Sequence, residues 1–247
     1  MKFPWFLPNA RNQTLWFSAV VMVAGLLLGW WRPNTILFAY LVETLVIGLV
    51  HALKMLTVSI LGRKQKVLRL EKPHDHNNHV FMVPFFLVHY NFFIFVQSVF
   101  IFLLLGVDDK GVKDSFSVVE NFAYMLGQPG AGWAVASIAF FNVMQSVTDF
   151  FLPRKYHETV LSDMFMQPYV RIFVQQIVAI TGGFFIIFLH AGLMAAILLV
   201  VIRLVVDLFA TAFRYSPEAR KILARKLAKG ETGPEKVEKQ LELLFMN

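Results

Sequence analysis

Arg203 and Asp207 stand four residues apart in a stretch, residues 193–209, that is otherwise apolar from end to end. On a helix that spacing puts both side chains on one face, where a cation and an anion pair. A charged group at bilayer depth costs a few kcal/mol or more, so it faces protein or a water-filled cavity and takes a partner. Other apolar stretches supply candidates at comparable depth: Glu43, the run His89-Tyr90-Asn91, the trio Asn142, Gln145 and Asp149, and Arg171 with Gln175 and Gln176. Carboxylates, an imidazole and a guanidinium inside one apolar bundle suit proton relay or the binding of a small polar solute. Glu43 and Asp207 would titrate, His89 would relay, and Arg203 would supply the countercharge.

Each member is read from its place in its own stretch. Glu43 lies roughly 12 Å inside the boundary of its stretch at 1.5 Å per residue, too deep to snorkel, so it needs a partner or a proton. Lys54 falls within about 20° of it on a helical projection, and His51 about 80° away. Asn142, Gln145 and Asp149 have offsets of three and seven, which put them within about 60° of one another. Depth estimates place Glu43, Asn142 and Arg203 near the midplane, with His89, Gln176 and Asp207 somewhat below.

A divalent metal that activates water is the competing chemistry, with Glu43, His89 and Asp207 as its minimal intramembrane ligands. His74, His76 and His79 form a second histidine cluster in a loop, at spacings that match no established ligand pattern. No metal or other cofactor is favoured on these residues, and a divalent ion is left open.

The elements that must hold these groups follow from composition. The chain has 247 residues, 57% apolar and only 16% charged, against roughly 25% charged in an average soluble domain. An all-α, polytopic membrane protein is expected: a bundle of six transmembrane helices over residues 1–213, with spans at about 14–31, 35–61, 80–106, 133–152, 168–189 and 192–213. A basic, amphipathic cytoplasmic tail over 214–247 follows, in which Ser216-Pro217-Glu218 and Pro234-Glu235 start short helices. Phe116, Val119, Phe122, Ala123 and Leu126 have the spacing of an interfacial helix between the third and fourth spans. Gly25 and Gly29 form a GxxxG pair, read as plain helix packing.

With no cysteine, the chain has no disulfide, thiolate metal site or cysteine nucleophile. The N-terminus shows no removable signal peptide, and no internal repeat is visible. The net charge of +7 sits at helix ends and in the tail, which suits the lipid bilayer and anionic lipids and argues against nucleic acid. Between spans, 17 Lys and Arg fall on the side of both termini and 3 on the other, so both termini are expected in the cytoplasm. The oligomeric state is left open, a homo-oligomer included.

Four phrases together resemble a known family: Val42-Glu43-Thr44-Leu45-Val46-Ile47-Gly48, Phe86-Leu87-Val88-His89-Tyr90, Pro168-Tyr169-Val170-Arg171-Ile172, and the helix holding Arg203 and Asp207. Over about residues 35–215 the chain is similar to a bacterial multi-pass inner-membrane family known only as a domain of unknown function. The resemblance implies localisation in the inner membrane and brings no activity. Glu43, His89, Arg171 and Asp207 match its pattern. The pattern has His at the positions of Asn142, Gln176 and Thr211 and Lys at Arg203, and those departures weaken a metal site in this chain. The expected function is therefore binding or transport of a small polar solute or protons. An intramembrane metal-dependent enzyme and a structural or interaction role are the alternatives.

Overall fold

The computed structural model describes residues 6–10, 12–71, 76–169, 172–173, 176–177, 180–181, 192–228, 233–235, 237–238 and 241. Among these residues regular structure is entirely helical. Among the described residues four helical stretches are long and apolar enough to cross a membrane: Pro33–Leu61, Phe81–Val107, Ala131–Phe151 and Ala196–Phe213. The first expected span is a shorter helix, α1 (Gln13–Leu27), and most of the fifth lies outside the described residues.

The chain divides into two compact units, residues 25–199 and the pair of segments 1–24 and 200–247. The larger unit is built around α2 (Pro33–Leu61). All ten residues from Thr35 to Thr44 are buried, so α2 is covered on every side over that length. Its start is set by Arg32-Pro33, where the proline's missing N–H falls on a position that has no intrahelical acceptor. After Gly62, helix α3 (Arg63–Glu71) carries the basic residues that lie between the second and third expected spans.

Helix α4 (His76–Asp108) and helix α6 (Ala131–Ser146) are the main neighbours of α2. Paired positions give the directions. Thr44 and His51 of α2 meet Tyr90 and Phe86 of α4, so those helices are antiparallel. Glu43 and Lys54 meet Asn142 and Phe150, so α2 and the stretch from α6 run parallel. Away from α2, α4 shows Phe81, Val88, Phe92 and Leu103 to the surroundings. An apolar face of that extent matches contact with lipid or another protein surface.

The turn between α4 and α6 is closed by α5 (Val118–Leu126). The ring of Phe122 packs edge-on against both Phe38 and Phe102, at 5.3 and 5.4 Å. Asn121 is fully buried and organises the loop before it, accepting from the Lys113 amide at 2.8 Å and donating to the Asp114 carbonyl at 2.9 Å. The opposite side of α5 exposes Val119 and Leu126, with Phe116 exposed just before the helix.

The Gly25–Gly29 pair ends α1. A Cβ on Gly25 would press on the Trp31 ring, and Gly29 takes φ +73, a conformation open to glycine but strained for other residues. In the smaller unit, Phe6 packs edge-on against Phe209 of α8 (Gly192–Tyr215). Ser216 then caps α9 (Pro217–Leu227), its side chain accepting from the Ala219 amide at 3.2 Å.

Candidate functional site

Glu43 lies ten residues inside α2, about 15 Å from its start at 1.5 Å per residue. It is 3% exposed. Asn142 of α6 donates from Nδ2 to its Oε1 at 3.4 Å, a long hydrogen bond from a neutral amide to a buried acid. Of the trio expected on one face, Asn142 meets α2 and Gln145 is exposed. Asp149 falls in a π-helical turn, Val147–Phe151, in which the Leu152 amide reaches back five residues to the Val147 carbonyl. The wider turn shifts the register of everything after it, and such turns recur at functional sites. Lys54 of α2 holds its ammonium 5.4 Å from the centre of the Phe150 ring.

Past Pro153 the chain turns at Arg154, which has φ +55, and forms a 3-10 turn, Lys155–His157. His157 Nδ1 lies 3.2 Å from the Leu61 carbonyl at the last residue of α2. The chain then climbs back along α2. Helix α7 (Leu161–Phe165) packs against both α2 and α4, and the Met164 carbonyl accepts a 2.9 Å hydrogen bond from Nε2 of buried His51. A carbonyl only accepts, so that bond assigns the proton of His51 to Nε2. His51 is ten residues, about 15 Å, from the end of α2. Residues 158–166, with their short helix and non-helical flanks, therefore re-enter the bundle. Irregular backbone at such depth persists only where protein buries it or it lines a cavity.

Beyond Met166 the described residues of 167–181 are again helical. Tyr169, the third of them, reaches His89: its hydroxyl and His89 Nδ1 share a 2.8 Å hydrogen bond. Its ring also sits among Phe86, Tyr90, Phe93 and Phe165, with centroids 5.6 to 6.1 Å away. His89 is further held by stacking on Phe85 at 5.3 Å. Tyr90, the next residue, points to α2 and donates to the Thr44 carbonyl at 2.9 Å.

Arg203 and Asp207 form the expected pair in α8, Nε to Oδ2 at 3.3 Å, with side chains 23% and 21% exposed. They belong to the smaller unit. Thr211, one turn on, lines a cavity of about 310 Å3 with Asn9, Asn12, Tyr215 and Ser216. Gln176 is half-buried and helical. Arg171, Gln175 and His74 lie outside the described residues. His76 and His79 are in the opening turns of α4. Among the described residues no three of His, Cys, Asp and Glu come together in a group that could hold a metal ion.

The family model described as a family of unknown function, DUF6498, matches residues 2–228. The chain belongs to that family. The match runs from α1 through α9 and takes in the larger unit whole and most of the smaller one. No curated protein and no solved structure matches the chain.

The sequence had singled out His89 but none of the groups that hold it. His51 and Tyr90 were visible as polar groups, but the pairings of Tyr169 with His89 and of Met164 with His51 emerge only from the re-entry of residues 158–166. The one visible signal was Pro168, which marks a helix start but carries no information about depth. Gln97 is the other addition. It is 2% exposed on the side of α4 that carries Tyr90, and its Oε1 has no hydrogen-bond partner among the described residues.

Proposed function

We propose that this DUF6498 protein is a multi-pass protein of a bacterial inner membrane whose interior polar groups bind and pass protons or a small polar solute. The observation that carries the reading is Glu43: a carboxyl group buried ten residues inside an apolar helix, touching an amide on a second helix. A buried carboxyl group at such depth is a functional candidate by default. The re-entrant segment strengthens it, because broken helices inside transporters supply the polar backbone that solutes and ions meet. Gln97 adds a buried acceptor whose capacity the described protein groups do not use. The Tyr169–His89 pair adds two groups able to hand on a proton.

In this reading six spans place both termini in the cytoplasm, with the fifth starting inside the bundle near Pro168. Reporter fusions after residue 247 and within residues 107–130 test that orientation. A cytoplasmic signal from the second position would overturn it.

One set of observations favours a second reading, in which the polar groups serve as glue between helices. The Tyr90–Thr44 and His51–Met164 hydrogen bonds already satisfy their partners across elements. Purified protein in liposomes, under an imposed pH gradient, separates the two. Transport predicts a proton flux above empty vesicles that Glu43→Gln abolishes while the variant still folds. No flux from correctly folded wild type would leave the structural reading, and equal flux from the variant would remove Glu43 from the path.

A further inference from the structure

The smaller unit ends in a charged surface that the interior site does not use. Helix α9 carries Lys221, Arg225 and Lys226 exposed, with Glu218 as its one exposed acid. Lys221 and Arg225 are four residues apart and so share a face. Arg220, by contrast, is buried and donates from Nη1 to the Phe213 carbonyl at 2.7 Å. That contact places a cation on the end of α8, where helix carbonyls lack partners and the dipole favours positive charge. It also ties the first turn of α9 to the last turns of α8. The link is short: the Ser216 amide donates to the Ala212 carbonyl at 2.8 Å, and Pro217 begins the next helix.

The distance decides what the exposed cations meet. The stretch of α8 apolar enough to cross a membrane ends at Phe213. Pro217 is four steps along the chain from Phe213, a reach of about 6 to 13 Å depending on how extended the backbone is. The headgroup layer on one side of a bilayer is roughly 5 to 7 Å thick, and charges act over about 8 Å at physiological salt. Helix α9 therefore starts at headgroup level. Tyr215, partly exposed at the junction, is a residue type that settles there.

We infer that α9 lies along the membrane surface with Lys221, Arg225 and Lys226 against anionic phospholipid headgroups. The inference rests on the membrane reading of α8 above. Arg220 acts as the internal clamp that sets the angle, and the three exposed cations make the lipid contact.

The test is amide hydrogen exchange on the full-length protein in nanodiscs of phosphatidylcholine alone or with phosphatidylglycerol added. The amides of α9 should exchange at least tenfold more slowly in the anionic discs, on the basis of about fivefold per basic side chain near such a surface. High salt, or the triple variant K221Q/R225Q/K226Q, should erase the difference. Equal α9 exchange in the two lipids, with residues 200–213 protected in both, would overturn the lipid contact and leave the membrane reading intact. Fast exchange of residues 200–213 in both lipids would overturn the membrane reading, and this inference with it.

Discussion

The ring of Tyr90 occupies the space that a side chain on residue 48 would fill: a Cβ built on Gly48 falls inside it. The glycine lets the Tyr90 ring of α4 come close against α2, and the hydroxyl then reaches the Thr44 carbonyl one turn away. Gly48→Ala should lower stability by about 1–3 kcal/mol, the usual range for overpacking. Tyr90→Phe should lower it by about 1 kcal/mol for the lost hydrogen bond. In the Tyr90→Leu background the alanine should become nearly neutral. Thermal melts of the purified variants measure the coupling, and additive losses would show that the ring and residue 48 do not compete for space.

The Arg203–Asp207 pair is one-fifth exposed and spaced one helical turn apart. Its strength should lie between the few tenths of a kcal/mol of a solvated pair and the roughly 3 to 5 kcal/mol lost on breaking a fully buried one. Arg203→Leu and Asp207→Leu are each expected to reduce stability by about 1–2 kcal/mol, with the double variant recovering part of the loss. A double-mutant cycle on folded yield and melting temperature reads the interaction. A cycle that closes at zero would mean the two side chains act independently.

Outside the spans, Tyr124 donates to Asp109 Oδ1 at 2.8 Å, and that hydrogen bond is the main cause of a phenol pKa raised above 10.0. A raised phenol pKa favours the neutral form in the fold. Its contribution to stability is therefore complete below pH 10 and declines as pH rises through the folded-state value. Asp109→Asn should lower the Tyr124 pKa, seen as phenolate absorbance appearing at lower pH. Tyr124→Phe should remove that component of the alkaline titration. An unchanged titration in Asp109→Asn would show that the carboxylate does not control the phenol.

The sequence made some features legible and concealed others for physical reasons. Long apolar runs identify α2, α4 and α8, because hydropathy over about 20 residues is a strong signal. The Arg203–Asp207 pair is legible because its partners share one helix and a fixed spacing. Glu43 was legible as a buried acid, since no polar surface lies within its reach. Asp149 was placed by counting 100° per residue, and the π-helical turn breaks that count. The re-entry of residues 158–166 was hidden because Tyr169 and His51 find their partners across 80 and 113 residues of chain. No local periodicity encodes such distances.

Proton passage through the interior requires Glu43 to exchange its proton with water while buried against Asn142. Difference infrared spectroscopy of the protein in lipid, between acidic and alkaline buffer over roughly pH 5 to 9, where carboxylates and histidines in proteins exchange protons, reads that directly. The predicted result is a protonated-carboxyl band that appears and disappears with bulk pH, is absent in Glu43→Gln, and shifts in frequency in Asn142→Leu as the amide is withdrawn. A Glu43 band that stays constant across the whole range, or a titrating band that survives in Glu43→Gln, would contradict it.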